Sequence, residues 1–296
     1  MHNLPEITSL DALSLNYDVF LIDQFGVLRD GEAAYPGAID ALAKLKAKGS
    51  KIVILSNSGR SGAYNAERLV TLGFSARSFD YFVTSGDVAS SLLKSVDSFL
   101  PGKRPSRIFT ISSGQDNSLA NALDCQSVSS AADADLIIIS GSETERISLD
   151  SYREILRPAA SRGIPCVCTN PDRHKLLNGD IFPSAGALAE IYEDMGGLVT
   201  MIGKPYRQIY EYAIAVVGSP PLRSVVAIGD SLGHDIAGAR SFGLNSALTR
   251  TGVHAHLSES QLFSQMESER IFPNYILPAF VMEGSFKGGR PGTAFR

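Results

Sequence analysis

The stretch LIDQFGVLRDG, residues 21–31, decides the interpretation of the fold. An apolar run, YDVFLI, ends there in the carboxylate of Asp23, and the chain turns at Gly26. In open parallel sheets ligands bind outside the carboxyl ends of the strands. A buried strand that ends in an acid is therefore typical of a ligand-binding edge, and further site residues are expected at the ends of other apolar runs.

Short apolar strands alternate with helical stretches along most of the chain. This alternation predicts parallel βαβ units, hence a doubly wound parallel α/β sheet covered on both faces. The predicted strands are 17–23, 51–57, 81–86, 107–112, 135–141, 164–170, 198–203, 224–230 and 244–249. The predicted helices are 36–49, 61–74, 151–163, 184–197, 206–218 and 236–243. A polar loop is predicted at 171–180, and the Pro- and Gly-rich end from residue 272 is interpreted as a terminal strand and a loose tail.

The composition excludes several classes of protein. The chain has 296 residues, 44% of them hydrophobic and 20% charged, with a formal net charge of −4. These values are ordinary for a globular protein, and nothing in the charge points to nucleic acid or to an anionic membrane surface. No apolar run approaches the roughly 18 residues that span a bilayer. The acidic start, broken by Pro5, is no signal peptide, so the cytoplasm is the expected location.

The three cysteines are too few to form a disulfide framework. Cys166 and Cys168 alternate in the predicted strand at 164–170, which places both on one face. Buried packing explains such a pair, and the alternative is a metal site shared with His174.

Polar side chains follow four of the predicted strands: Asp23, Ser56 with Asn57, Lys204, and Asp230 with Asp235. Each has an ordinary structural explanation, because acids cap turns, Ser and Asn cap helices, and lysines are commonly solvated. An ordered set of Asp, Ser, Lys and GD-x-x-x-x-D is much harder to explain by accident. If these strand ends converge, they build one site.

This ordered set resembles the four motifs of the haloacid-dehalogenase superfamily, in the segments LIDQFGVL, ILSNS, GKP and GDSLGHD. Together with TNPD at 169–172 and the long insert between the second and third motifs, these features resemble the class IIA, NagD-like branch. The resemblance covers residues from about 15 to about 255. It implies a discontinuous Rossmann-like core at 1–85 and 187–296, with an inserted C2-type α/β cap domain at 86–186.

The resemblance also implies a Mg²⁺-dependent phosphohydrolase that acts on a small phosphorylated metabolite. Its nucleophile is Asp23, which attacks phosphorus to give an aspartyl-phosphate. Oxygen ligands suit Mg²⁺, and those implied here are the carboxylates of Asp23 and Asp230 and the backbone carbonyl of Phe25, with Asp235 supporting the metal shell. The implied phosphate-binding groups are Gly26, Ser56, Asn57 and Lys204.

Phe25 departs from the family's pattern. Phosphatases of this family carry an Asp there, which protonates the leaving alkoxide and then activates water. Loss of a general acid–base group typically costs about 10²–10⁴ in rate. One interpretation is a slow or specialised phosphohydrolase. Either its substrate has a good leaving group, or Asp30, Asp172 or His174 supplies the proton. The alternatives are a binding or regulatory protein for a phosphorylated ligand, a phosphoryl-transfer protein, or a dehalogenase. The dehalogenases of the superfamily resemble a branch with a different cap from the one indicated here.

The loop TNPDRHK at 169–175 is the predicted substrate-reading part of the cap. The candidates for contact with the substrate are Asp172, Arg173 and His174. The alternative is that these are solvated loop residues. The family's range includes nucleotides, sugar phosphates, pyridoxal phosphate and phosphoglycolate, and a cap-mediated homodimer is expected by resemblance. A dinucleotide-binding site fits less well, because no GxGxxG follows the first strand.

Overall fold

The structure is a computed structural model that describes residues 4–95, 105–177 and 180–284. The chain forms two compact units. The first comprises Met1–Ile54, Glu67–Tyr81 and Val216–Arg296, and the second comprises Leu55–Ala66 and Phe82–Ala215. The core and cap boundaries expected at 85/86 and 186/187 stay a prediction.

Strands and helices alternate through both units, as the sequence predicts. The strands are β1 Glu6–Ile7, β2 Val19–Ile22, β3 Lys51–Ser56, β4 Tyr81–Thr84, β5 Arg107–Ile111, β6 Gln126–Ser127, β7 Leu136–Ile139, β8 Cys166–Cys168, β9 His174–Leu177, β10 Asp180–Pro183, β11 Val199–Met201, β12 Val225–Gly229, β13 Asn245–Thr249 and β14 Tyr275–Leu277. The helices are α1 Leu10–Asn16, α2 Ala38–Ala47, α3 Gly62–Thr71, α4 Ser85–Lys94, α5 Ser118–Ala122, α6 Leu149–Ser161, α7 Ala185–Asp194, α8 Arg207–Val216, α9 Ala237–Phe242 and α10 Glu259–Glu269.

The larger sheet has seven strands in the order β1-β14-β13-β12-β2-β3-β4. The neighbouring strands from β1 through β3 in that order pair in parallel. Every residue of β2 and β12 is buried, because both strands lie inside the sheet and carry apolar side chains on both faces. Ile22 of β2 lies opposite Ile54 of β3 and Ile228 of β12. This register brings the carboxyl ends of the three strands to one edge of the sheet.

The second sheet has five strands in the order β11-β8-β7-β5-β6, all paired in parallel. Its apolar core includes Cys166 and Cys168, both fully buried. Burial raises the pKa of the Cys168 thiol to about 12. His174 is exposed on β9. The two thiols therefore pack in the core rather than bind a metal with His174. The predicted α/β class, with two parallel sheets, is confirmed.

The polar loop predicted at 171–180 is wrong, because β9 and β10 form an antiparallel hairpin there. Its strands are only four residues each, and Leu176 and Ile181 are exposed, so no inward-facing apolar pattern marks them. The predicted terminal strand is present as β14, and the predicted tail beyond residue 284 lies outside the described residues. Of the helices described, none is long and apolar enough to cross a membrane.

Candidate active site

Three buried carboxylates meet in the first unit. One oxygen from each of Asp23, Asp230 and Asp235 lies within 4.8 Å of the other two. The residues are only 8%, 6% and 6% exposed. Ionised carboxylates held this close and out of water repel one another unless a cation lies among them. An all-oxygen donor set fits a hard cation such as Mg²⁺, so the residues present fit the metal that the sequence predicts.

Asp23 follows β2, and its backbone N–H donates to the carbonyl of Ile228 at 2.9 Å. Asp230 follows β12, the neighbouring strand. The two acids are therefore positioned by adjacent strand ends, as their sequence pattern predicts. Asp235 lies on a short π-helical turn, Leu232–Ile236, that leads into α9. The backbone N–H of Ser231 donates to its Oδ2 at 3.1 Å.

The loop after β13 holds Asp230 and the turn at Gly26 together. Val253 donates its backbone N–H to Asp230 Oδ2 at 2.8 Å. The buried hydroxyl of Thr251 donates to the carbonyl of Gly26 at 2.5 Å. The sequence predicts no role for the TGV segment at 251–253, because contacts between residues more than 20 positions apart leave no local pattern.

Three glycines surround the carboxylates. A Cβ at Gly26 or at Gly252 would lie 2.0 Å from Asp230 Oδ2, and both residues have positive φ, +79° and +73°. A Cβ at Gly229 would lie 2.1 Å from Asp235 Cγ. The backbone therefore approaches both carboxylates too closely for any side chain at these positions.

Phe25 lies two residues after Asp23, and its side chain is half-exposed. The guanidinium carbon of Arg29 lies 4.7 Å from the ring centroid, a cation–π geometry. Arg29 is buried, and its Nε and Nη2 donate to the carbonyls of Asp30 and Gly31 at 2.7 and 2.6 Å. The Arg29 guanidinium, held by these two hydrogen bonds, keeps the Phe25 ring in place. The Phe25 side chain has no carboxyl group that could donate a proton.

Asp30 is a poor substitute for the missing acid. Its carboxylate accepts the backbone N–H groups of Ala33 and Glu32, and these bonds hold the pKa of Asp30 below its usual value. A stabilised carboxylate gives up no proton to a leaving group. Burial, and then the charge of Asp230, raise the pKa of the Tyr35 phenol. Tyr35 therefore keeps its proton near the carboxylates, a feature that sequence reasoning missed.

The predicted phosphate-binding residues Ser56, Asn57 and Lys204 lie in the second unit, and all three are buried. Asn57 Oδ1 accepts the backbone N–H of Lys204 at 2.6 Å, and its Nδ2 donates to the carbonyl of Lys204 at 3.0 Å. The same Nδ2 donates to Asp172 Oδ1 at 2.8 Å. Asn57 is thus a bridge that positions Lys204 and the cap residue Asp172.

The other two predicted cap residues are not part of this group. Arg173 pairs with Glu190 at 2.9 Å, and both side chains are exposed. His174 is exposed on β9. Of the predicted substrate-reading residues, only Asp172 contacts the predicted phosphate-binding group.

Comparisons with known proteins identify the family of the chain. A family model described as haloacid dehalogenase-like hydrolase matches residues 20–126, and one described as HAD-hydrolase-like matches residues 201–278. A crystal structure of a haloacid dehalogenase-like hydrolase from Brucella suis 1330 is 31% identical, with a TM-score of 0.78, and the match covers 94% of this chain and 100% of that one.

Two curated proteins are similar over most of their length. Human chronophin is 29% identical over 268 residues, which are 86% of this chain and 88% of that protein. The sugar-phosphatase AraL of Bacillus subtilis (strain 168) is 28% identical over 263 residues, 87% of this chain and 88% of that protein.

The chain forms a parallel α/β sheet with three aspartates at its carboxyl edge, and a second parallel α/β sheet is inserted in the sequence. This combination is typical of Rossmann-like hydrolases with an inserted domain. Within that class, the chain belongs to the haloacid dehalogenase-like hydrolases, in their NagD-like branch.

Proposed function

We propose that this enzyme is a Mg²⁺-dependent phosphatase that hydrolyses a small phosphorylated metabolite through an aspartyl-phosphate on Asp23. The observation that carries the proposal is the buried triad of Asp23, Asp230 and Asp235, whose oxygens lie within 4.8 Å of one another. The name of the similar sugar-phosphatase supports the same reaction class.

Asp23 is the nucleophile. Its carboxylate oxygen attacks phosphorus, the ester oxygen departs as the leaving group, and water then hydrolyses the aspartyl-phosphate. Bound Mg²⁺ supplies positive charge that offsets the repulsion between the carboxylate and the phosphate dianion. Asp230, Asp235 and the carbonyl of Phe25 would hold it together with Asp23. The Val253 N–H occupies one oxygen of Asp230, which fixes the direction of that carboxylate.

Ser56 and Lys204 bind the phosphoryl oxygens and offset their negative charge in the transition state. Support comes from two features. Ser56 ends β3, the parallel neighbour of β2, which Asp23 follows. Asn57 holds both backbone groups of Lys204, so the lysine is positioned before substrate arrives. Preorganised charge is the form of stabilisation that costs no rearrangement during reaction.

The stacked ring of Phe25 makes the protonation of the leaving group the slow part of the reaction. Asp30 is held ionised, and His174 is exposed on its hairpin. Turnover is therefore fastest for substrates whose leaving groups need no proton. The same observation favours a second candidate, a protein that binds a phosphorylated ligand with little turnover.

Phosphate release from p-nitrophenyl phosphate, acetyl phosphate and propyl phosphate, measured with Mg²⁺, tests the proposal. The wild type should hydrolyse the two activated substrates, p-nitrophenyl phosphate and acetyl phosphate, and Asp23→Asn should not, whereas the exposed control Asp18→Asn should match the wild type. Phe25→Asp should raise turnover of propyl phosphate by about 10²–10⁴. No turnover of any ester by the wild type, with tight binding of a phosphorylated ligand, would instead establish the binding protein.

The homodimer and the cytoplasmic location expected by resemblance and composition stay predictions. Light scattering of the purified full chain measures the first directly. Dehalogenation is disfavoured by a carboxylate triad arranged for a metal. Phosphoryl transfer to a second substrate is disfavoured by the similarity to a phosphatase.

A further inference from the structure

The loop after β13 carries a buried histidine. His254 is only 5% exposed and ends the short 3₁₀ turn Gly252–His254, which lies in the first unit with the carboxylate triad. The backbone N–H of Leu232 donates to His254 Nε2 at 3.5 Å, and the two residues are 22 positions apart. The imidazole therefore joins the loop after β13 to the segment that follows β12.

The N–H group that His254 accepts belongs to the turn that carries Asp235. Leu232 begins this short π-helical turn. The first N–H groups of a helical turn have no partner within the turn itself. Here the N–H of His234 donates to the hydroxyl of Ser231 at 3.3 Å, and the N–H of Leu232 donates to the imidazole. His254 thus supplies, from another loop, the acceptor that the start of the turn needs.

The segment 252–254 also holds Asp230. Val253, the residue before His254, donates its backbone N–H to Asp230 Oδ2 at 2.8 Å. Asp230 and Asp235 each contribute one oxygen to the triad, and these oxygens lie within 4.8 Å of each other. One short turn of chain therefore binds one of these carboxylates directly and contacts, through the imidazole, the turn that bears the other. The separation of the two carboxylates depends on both contacts.

The imidazole must be neutral to accept this bond, because a protonated ring has an N–H on both nitrogens and no acceptor. Burial lowers the pKa of His254, since the charged ring would lose its contact with water. Glu269 acts against this shift, whereas His256 and Arg250 add to it. At neutral pH the ring is therefore uncharged, with its proton on Nδ1 and a lone pair on Nε2 that faces the Leu232 N–H.

We propose that His254 is a positioning residue of the metal site, which holds the Asp235 turn in place relative to Asp230 and so sets the affinity of the triad for Mg²⁺. The inference rests on the proposed phosphatase function, whose metal the triad would bind, and it gives His254 no contact with substrate. Without the acceptor, the buried N–H of Leu232 would be unpaired, and this cost favours a rearranged turn. Replacing a residue that orients metal-binding groups typically changes metal affinity about 10–100-fold.

Two amide variants test the acceptor. In His254→Gln the amide oxygen can take the place of Nε2, whereas in His254→Asn the shorter side chain ends near the position of Nδ1. Calorimetric titration with Mg²⁺, without substrate, should give His254→Gln a dissociation constant within about threefold of the wild type and raise that of His254→Asn about tenfold. His256→Asn, at an exposed histidine two residues further on, is the matched control and should bind Mg²⁺ as the wild type does.

The variant His254→Phe separates the hydrogen bond from packing. It keeps a planar ring in the buried position but has no acceptor, so it should bind Mg²⁺ about tenfold more weakly than the wild type, as His254→Asn does. A purely structural role predicts the reverse order, with affinity kept by the ring and lost with either amide. Wild-type affinity in His254→Phe, or equal losses in His254→Gln and His254→Asn, would overturn the inference.

Turnover of p-nitrophenyl phosphate gives a second readout. In His254→Asn the Mg²⁺ concentration for half-maximal activity should rise about tenfold, while kcat at saturating Mg²⁺ stays within about twofold of the wild type, because the imidazole touches no reacting atom. A lower kcat with unchanged Mg²⁺ dependence would overturn the inference. If the wild type binds Mg²⁺ but hydrolyses no ester, the phosphatase proposal fails, and the calorimetric constants alone decide the role of His254. If the wild type binds no Mg²⁺, both proposals fail.

Discussion

At the scale of single residues, the carboxylate site is defined by close backbone approach. Asp230 is held by the Val253 N–H, and the glycines at 26 and 252 lie against its Oδ2. Asp235 is held by the Ser231 N–H, and Gly229 lies against its carboxyl carbon. The positions of the Asp230 and Asp235 carboxylates therefore depend on these three positions being glycine.

Gly229→Ala tests this dependence. The new Cβ would lie 2.1 Å from Asp235 Cγ, so Asp235 must move away from the other two carboxylates. We expect the Mg²⁺ concentration for half-maximal activity to rise about tenfold or more, as loss of a metal-supporting contact typically does. Overpacking should also lower the free energy of unfolding by about 1–3 kcal/mol.

Gly233→Ala is the matched control, because a Cβ there meets nothing within 4 Å. It lies on the same short helical turn as Asp235. Magnesium dependence that is the same in both variants would contradict the steric explanation.

At the scale of the elements, strand ends were predictable and loops were not. Asp23 and Asp230 were predicted because a buried apolar run followed by an acid is a local pattern. The contacts of Thr251 and Val253 join distant parts of the chain, so they have no such pattern. The segment of β9 and β10 contains an Asn-Gly pair at 178–179, a sequence typical of tight hairpin turns, but it is otherwise polar and is predicted as a loop.

One carboxylate, that of Asp135, joins the amino ends of β5 and β7 in the second sheet. Asp135, just before β7, accepts from Arg107 Nη2 at 2.9 Å and from Ser106 Oγ at 2.8 Å. These bonds, that of Arg107 first, hold the pKa of Asp135 well below its usual range. A carboxyl whose pKa is lower in the folded state stabilises the fold above its unfolded pKa of about 3.9, and that stabilisation is lost as pH falls through the folded value.

Melting temperatures of the wild type and Asp135→Asn, measured from pH 6 to pH 2, test this linkage. The wild type should melt higher at pH 6, and the two curves should converge as pH falls below 4. A difference that stays constant across the range would contradict the assigned ion pair.

The reactivity of the cysteine thiols tests how well the second sheet is packed. Cys166 and Cys168 are fully buried in β8, whereas Cys125 is half-buried. The thiolate is the reactive form, and burial raises the pKa of all three thiols. With a thiol-specific disulfide reagent we expect one thiol to react in the native protein and all three after unfolding. Three reactive thiols in the native state would contradict the packing of β8.

At the scale of the whole molecule, the chain forms two compact units, and each contains residues of the predicted site. The first unit contains the carboxylate triad, and the second contains Ser56 and Lys204. Both sets of residues were predictable from the sequence, because each lies in a short motif at the end of an apolar run.

Magnesium should stabilise the folded chain, because it relieves repulsion among three buried carboxylates that the unfolded chain separates. At a free concentration about 100 times the dissociation constant, the expected gain is about 2.7 kcal/mol. Thermal unfolding with and without Mg²⁺ measures it. Asp230→Asn should lose most of the Mg²⁺-dependent gain, and Asp18→Asn should keep it. An equal gain in both variants would place the metal elsewhere.

The glycines around the carboxylates have a practical consequence for engineering this enzyme. Saturation libraries aimed at its metal site should leave positions 26, 229 and 252 unvaried, because even one added methyl group collides with Asp230 or Asp235. Diversity is better placed at positions such as 112, whose side chain faces a cavity and makes no hydrogen bond within the described chain.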